Sequence, residues 1–252
     1  MTDGATARFS DRVDTYVRAR PGYPAEVGEL LRDRVGLGPG CIVADLGAGT
    51  GIFTRLLLAA GATVHAVEPN EPMLARLVAD TVHGSLRAHR APAEATGLPT
   101  ASIDLVTAAQ AFHWFDQAAA GREFRRILRP GGAVALVWND RAATTPFLQE
   151  YEALVRRWAT DYPRVDHRRI TPEVIEAFFA PGRVEVHHVD HHQRLDREGI
   201  RDRLLSSSYA PPPGHPDHEP MLAELTALFD RYAAAGTVRF AYRTDVHLGW
   251  FG

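Results

Sequence analysis

The stretch Val43-Ala44-Asp45-Leu46-Gly47-Ala48-Gly49-Thr50-Gly51, running on into Ile52-Phe53-Thr54-Arg55-Leu56-Leu57-Leu58, decides the fold. From Cys41 it is a short apolar run ending in an acid, then a glycine turn, then apolar residues at helical spacing, which reads as strand, turn, helix. Downstream, Gly61 stops that helix, and the β-branched run Thr63 to Val67 predicts a second strand ending in Glu68. Asn70 is placed to cap a helix through Met73, Leu74 and Leu77. Ser102 to Ala108 and Ala133 to Trp138 read as buried strands separated by a helical pattern at Phe124, Ile127 and Leu128, with Pro130-Gly131-Gly132 as the turn. Strands alternating with helices predict an α/β fold, a doubly wound, mostly parallel sheet with helices on both faces. Right-handed crossovers place the carboxyl ends of its strands on one edge, where ligands bind.

Outside this unit, Val27, Leu30, Leu31 and Val35 predict a helix after Arg20-Pro21-Gly22-Tyr23-Pro24. Towards the C-terminus, helical patterns at Leu148 to Trp158, Val174 to Phe179 and Leu222 to Tyr232 mix with strand-like runs at Val184 to Val189 and Phe240 to Leu248. Pro211-Pro212-Pro213-Gly214 reads as a flexible loop, because successive prolines cannot be helical.

Composition narrows the function. Of 252 residues, 45% are hydrophobic and 23% charged, which describes a folded chain and not a disordered one. With 28 basic against 31 acidic residues, the net charge of -3 offers no broad basic field for nucleic acid or an anionic membrane, so a small or neutral partner is expected. The single cysteine, Cys41, excludes an intramolecular disulfide and a cysteine-based metal knuckle. Every basic residue is arginine, which excludes Schiff-base lysine chemistry and the P-loop lysine. The first residues lack the apolar stretch of a signal peptide, and no apolar run approaches the ~20 residues that span a bilayer, so a cytoplasmic location is expected.

The spacing of the glycine loop selects its ligand. A dinucleotide fingerprint, G-x-G-x-x-G, needs a third glycine at position 52, where this chain has Ile52. Asp45 immediately before the glycines would repel a pyrophosphate and attract an ammonium group. Glu68, about 20 residues beyond the loop, is placed to accept hydrogen bonds from both hydroxyls of a ribose and would repel a 2′-phosphate. An ammonium, an unphosphorylated ribose and an adenine together describe S-adenosylmethionine (SAM).

On these residues the chain resembles the class I SAM-dependent methyltransferases. Val43 to Gly51 looks like their first motif, Ala66-Val67-Glu68-Pro69-Asn70 like the ribose-binding segment, Ala93-Glu94 before Leu98-Pro99 like the adenine-side segment, and Leu128-Arg129-Pro130-Gly131-Gly132 like the turn before the fifth strand. Phe9-Ser10, Tyr16, Arg20 to Pro24 and Gln110 to Asp116 are similar to a small-molecule subgroup that includes relatives of trans-aconitate methyltransferase. Many of those relatives have an acid two residues before the adenine-side Glu; this chain has Pro92 there, so the adenine N6 contact falls to Glu94 or to backbone carbonyls. The resemblance implies a Rossmann-like sheet of seven strands with the last antiparallel. It further implies an N-terminal helical cap over the cofactor site (residues 1–40), a SAM-binding core (41–140), and a C-terminal part (141–252) that completes the sheet and forms the acceptor-pocket lid.

The residues expected to hold SAM are Asp45, Gly47, Ala48, Gly49, Gly51, Glu68, Pro69, Met73, Ala93, Glu94, Gln110 and Arg20. Arg20 suits either the methionine carboxylate or an acidic substrate, since its planar fork fits carboxylates, and a surface ion pair is the alternative. Tyr23, Trp114, Phe115, Ser208 and Tyr209 are expected around the acceptor. His113 and Tyr16 are the candidates for accepting a proton, with simple packing between Phe112 and Trp114 the other reading of His113. His187-His188-Val189-Asp190-His191-His192 does not read as a metal site, because strand alternation points at most two of these imidazoles the same way. The leading reading is a SAM-dependent methyltransferase acting on O or N of a small-molecule acceptor, without metal, nucleic acid or membrane. A nucleotide-dependent oxidoreductase and a non-catalytic SAM-binding module are the alternatives.

Overall fold

The computed structural model describes residues 20–141, 143–159, 170–207 and 209–252; Tyr16 and Ser208 fall outside them. Helix α1 (Ala25–Val35) leads into β1 (Ile42–Leu46), α2 (Ile52–Ala59), β2 (Thr63–Val67), α3 (Glu71–Asp80), β3 (Leu86–His89) and β4 (Ile103–Ala109). A 3-10 turn (Phe112–Trp114) precedes α4 (Gln117–Ile127), β5 (Leu128–Arg141), α5 (Pro146–Trp158), α6 (Pro172–Phe179), β6 (Arg183–Leu195), α7 (Arg197–Leu205), α8 (His218–Tyr232) and β7 (Val238–Trp250). The strands form one sheet of seven in the order β3-β2-β1-β4-β5-β7-β6. The first five are parallel, and β7 runs antiparallel to both β5 and β6, as expected for the last strand.

Period-two alternation sorts the sheet's side chains into two cores. On β5, Val134, Leu136 and Trp138 pack with Phe112, Phe124 and Phe178 on one face, while Ala133, Ala135 and Val137 pack with Val27, Leu31, Phe53 and Leu57 on the other. A third core joins α5, α7 and α8 to the first residues of β7. Because β7 runs antiparallel, those first residues stand at the carboxyl edge of the parallel strands. Pairing between β5 and β7 reaches Arg141↔Tyr242, while β6 and β7 continue together to Leu195↔Val238, so the hairpin carries these helices past that edge.

Two expectations need correction. Leu128 closes no helix: it caps α4 in extended conformation and opens β5. Pro130-Gly131-Gly132 lies within the bounds of β5 as an irregularity, since Ile103 pairs with Leu128 and Leu105 with Ala133. Strand β3 escapes periodicity because it is a four-residue edge strand with polar Arg87 and His89. The proline run after Tyr209 is a non-helical connection to α8.

The connection from β3 to β4 is tied to α4 through Glu123. Its Oε1 accepts hydrogen bonds from Thr96 N (2.8 Å), Thr96 Oγ1 (2.5 Å) and Arg126 Nη2 (2.7 Å), and its Oε2 accepts one from Arg126 Nε (2.8 Å). The Arg126 bonds, with those from Thr96 and against burial, hold its pKa down at about 2. With the Arg126 side chain 38% exposed, solvent screens part of the pair, and Glu123→Ala is expected to cost about 2 kcal/mol. A depressed carboxylate pKa stabilises the fold fully above the ordinary value of 4.5 and loses that contribution towards about 2. Urea titrations of both proteins should therefore converge across that window; a gap unchanged there would assign Glu123 a packing role only.

Candidate functional site

Strand β1 delivers Asp45 to the carboxyl edge between β2 and β4, where 1% of its surface is exposed. Its Oδ2 accepts a hydrogen bond from Thr54 Oγ1 at 2.6 Å and its Oδ1 one from Thr107 Oγ1 at 2.8 Å. Burial, only partly offset by these two hydroxyls, pushes its pKa up to about 6.

The chain then turns through Gly47 (φ +68°), Gly49 (φ +57°) and Gly51 (φ +80°), and Gly51 serves as N-cap of α2. Four of the loop's N–H groups are engaged within the protein. Gly47 and Ala48 donate to Val67 O (2.8 and 3.2 Å), Gly51 donates to Ala48 O (2.9 Å), and Gly49 donates to Glu68 Oε2 (2.9 Å). The other oxygen of Glu68 accepts from Asn70 N at 2.9 Å, so this carboxylate clamps the glycine loop to the turn after β2. Burial raises the Glu68 pKa, the Asn70 and Gly49 N–H groups pull it back, and the Asp45 charge adds to the rise. Asn70 also caps α3 as expected, its Oδ1 accepting from Met73 N at 3.0 Å. Four loop amides that a pyrophosphate would need are thus spent on carbonyls and a carboxylate.

Above this edge opens a cleft of about 980 Å³, counting the solvent at its mouth. Asp45, Gly47, Ala48, Gly49, Glu68, Met73, Gln110, Arg20, Tyr23, Trp114 and Phe115 all line it. The other expected residues stand behind that lining. Pro69 lies between the clamp and the α3 cap, Ala93 is in the core, and Glu94 Oε1 accepts from Asp116 N at 2.9 Å, the residue that caps α4. His113 is 7% exposed in the 3-10 turn, its ring tilted 42° against Trp114 at 5.0 Å. Tyr209 is buried, its Oη accepting from Arg141 Nη1 at 3.0 Å.

Several lining residues were not anticipated. Phe53, the second residue of α2, meets Tyr23 edge-on at 4.8 Å and so seats the segment before α1 on the glycine helix. Asn139, near the end of β5, donates through Nδ2 to Gly22 O (3.2 Å), accepts through Oδ1 from Thr244 Oγ1 (2.6 Å), and receives the Gln110 side chain on its carbonyl (3.0 Å). Its signal was available: Asn139 breaks an apolar strand at the ligand-binding end. Arg203 reaches the cleft from α7, on the same face as Ile200 and Leu204, so the i, i+3, i+4 spacing marked it as inward-facing. The histidine run alternates along β6, with His187 and His191 half-buried and His188 and His192 exposed. Among the described residues no three His, Cys, Asp or Glu are placed to hold a metal, and no helix is long and apolar enough to cross a membrane.

Residues 44–136 match the family model of a methyltransferase domain. An uncharacterised methyltransferase of Mycobacterium tuberculosis is 35% identical over 204 residues, which are 80% of this chain and 76% of that protein. The chain belongs to the class I SAM-dependent methyltransferases. A methyltransferase-like protein of Schizosaccharomyces pombe is 35% identical over 156 residues, 62% of this methyltransferase and 60% of that protein, so the match spans less than two thirds of that relative's length. A solved structure of a candidate type II methyltransferase from Anaeromyxobacter dehalogenans superposes with a TM-score of 0.70 at 25% identity, covering 91% of this chain and 97% of its own. The methyltransferase sheet order, with β7 inserted antiparallel between β5 and β6, is what that superposition shares.

Proposed function

We propose that this methyltransferase transfers a methyl group from SAM to an O or N atom of a small-molecule acceptor by in-line displacement. The observation carrying this reading is the Glu68 clamp beside buried Asp45: two carboxylates, and glycine-loop amides already spoken for, suit a cationic, unphosphorylated ligand. The same observation weighs against the nucleotide-dependent oxidoreductase.

The residues present fit SAM. Gly49 lines the cleft with no atom within 4 Å of where a Cβ would stand, so its backbone is open to close approach. Asp45 faces the ammonium electrostatically, Glu68 accepts from the ribose with its remaining lone pairs, and Met73, Phe115 and Trp114 give apolar walls. When bound, SAM supplies an electrophilic methyl group already activated by the sulfonium. The protein positions the two partners and excludes water, which in well-oriented systems supplies ~7–11 kcal/mol. Arg20, Pro21 and Tyr23, held down by Asn139 and Phe53, form that cover in our reading, and the helices carried by the β6–β7 hairpin form the acceptor lid.

Where the acceptor atom carries a proton, His113 and Tyr16 are the groups we assign to take it. His113 packs against the ring of Trp114, which lines the cleft. Tyr209 and Ser208 belong to the acceptor side in the same reading. Segment Arg20 to Pro24 at the cleft supports a place in the small-molecule subgroup resembling trans-aconitate methyltransferase relatives. We place the reaction in the cytoplasm, with neither nucleic acid nor membrane as partner.

Calorimetric titration with SAM and S-adenosylhomocysteine, followed by transfer from methyl-labelled SAM to small hydroxyl, amine and carboxylate compounds, tests the proposal. Binding with no transfer to any acceptor would favour the non-catalytic module, and no binding would sink both. One further outcome follows from Asp45. An arriving ammonium favours the ionised carboxylate, so the fraction protonated below about pH 6 must release its proton on binding. Affinity should fall as pH drops through about 6, by up to about tenfold per unit, and Asp45→Asn should flatten the profile. A profile identical in both proteins would remove Asp45 from ammonium recognition.

A further inference from the structure

The cofactor reading leaves one charged group of the cleft unused, Arg203. Its side chain is 4% exposed yet lines the cleft. Nε donates to Tyr242 Oη at 3.0 Å, and that hydroxyl donates onward to Gln193 Oε1 at 3.0 Å. The guanidinium lies 5.8 and 5.9 Å from the ring centroids of Phe240 and Tyr242. Nη1 is buried and, among the described residues, has no hydrogen-bond partner, and no carboxylate lies within ion-pair distance of the group. The groups that act on its charge are the hydroxyls of Tyr242, Tyr151 and Tyr209 and the like charge of Arg141, whose own carboxylate partner is Glu152 at 2.6 Å. A buried guanidinium without a counter-ion is costly to the fold, so its presence at a ligand-facing wall calls for an anion that arrives with a ligand.

We propose that Arg203 binds an oxyanion, a carboxylate or phosphate, carried by the methyl acceptor. The inference rests on the methyltransferase reading and names the acceptor class for it. SAM brings one carboxylate, whereas the cleft presents two guanidinium groups, Arg20 and Arg203. Arg20 comes from the segment that covers the cofactor side, its Nη2 donating to Ser206 O at 3.2 Å. Arg203 comes from α7, in the part of the chain assigned to the lid, and is left for the second anion. The surplus positive charge is felt behind the wall as well. Burial would raise the Tyr209 pKa, but Arg141 and Arg203, with the Ser207 hydroxyl and Arg20, bring it down to about 8. The planar fork of Arg203 can offer two parallel N–H groups to such an oxyanion, which fixes the acceptor's orientation as well as its affinity.

The test is arginine-labelled NMR on the full chain saturated with S-adenosylhomocysteine, with the Arg203 side-chain signal assigned by its loss in Arg203→Lys. Acetate and inorganic phosphate are the probes, with chloride as control. A saturable shift of the Arg203 signal with acetate or phosphate and not with chloride is expected, and the stronger of the two tells carboxylate from phosphate. Arg203→Met should abolish anion binding, leave S-adenosylhomocysteine affinity within about twofold, and not lower the melting temperature, since it removes an unpaired buried charge. Arg203→Lys should retain part of the binding. The proposal is overturned by an oxyanion-insensitive signal, by a tenfold or larger loss of S-adenosylhomocysteine affinity in Arg203→Met, which would hand the group to the cofactor carboxylate, or by a lowered melting temperature with anion binding intact. A wild-type protein that binds no S-adenosylhomocysteine marks failure of the methyltransferase reading instead.

Discussion

Glu68→Gln is expected to weaken S-adenosylhomocysteine binding about a hundredfold while leaving the protein folded. The carboxylate accepts from Gly49 N and Asn70 N at 2.9 Å each, one bond per oxygen. An amide keeps one acceptor and turns two N–H donors towards the other backbone N–H, so one side of the clamp must open. Loss of that side frees either the glycine loop or the turn before α3. The charged acceptor assigned to the ribose is lost as well, and hydrogen bonds to a charged group contribute about 1.5–3 kcal/mol each. Stability changes less than binding, because burial already raises the Glu68 pKa, so the ionised group gains little from its site in the free protein. Calorimetry and thermal melts on the same samples separate the two effects. A Glu68→Gln protein with wild-type affinity would mean that the clamp holds the fold and takes no part in binding.

The second large effect distinguishes two glycines of one loop. A Cβ on Gly47 would stand 2.6 Å from Ala111 Cβ and 3.4 Å from the Phe115 ring, at φ +68°. The left-handed backbone adds about 1–2 kcal/mol and the forced repacking about 1–3 kcal/mol, so Gly47→Ala should lose about 3 kcal/mol and the cofactor together. Gly49 has φ +57° but nothing within 4 Å of its Cβ position, so Gly49→Ala should lose only about 1 kcal/mol of stability. It should still weaken S-adenosylhomocysteine binding about tenfold or more, because the added methyl occupies open space at a residue that lines the cleft. Urea denaturation of the two variants in parallel decides it. Equal stabilities would refute the contact assigned to Ala111, and intact affinity in Gly49→Ala would refute the assigned approach of the ligand.

How much of this was legible beforehand depended on the range of the interactions involved. The strand, glycine turn and helix around Asp45 were readable because each rests on neighbours within a few residues: apolar runs, positive-φ glycines and the Asn70 cap. Strand β3 was not, since a four-residue polar edge strand carries no periodic signal. The glycine turn after Arg129 was readable as irregular, yet only pairing with β4 showed that β5 begins before it. At the cleft, Asp45, Glu68 and the glycines were legible because an acid at a strand end has a place dictated by the fold. Asn139 and Arg203 carry local signals, a polar break near a strand end and an inward-facing helix position, but their roles were not assigned, because the contacts that give them meaning, to Gly22 across 117 residues and to Tyr242 across 39, are set by packing.

By itself, then, the chain's order of residues determined an alternating α/β architecture, the position of its ligand edge and the cationic, ribose-bearing character of the ligand. These follow from hydrogen-bonding geometry and charge over short stretches. Tertiary structure decided which N–H groups of the loop remain for a ligand, that His113 packs against Trp114, and that one arginine of a charged helix is buried at the cleft with no counter-ion among the described residues. The physical reason is that burial, and with it the energetic weight of a charge or an unmet hydrogen bond, is a property of what surrounds a residue in space.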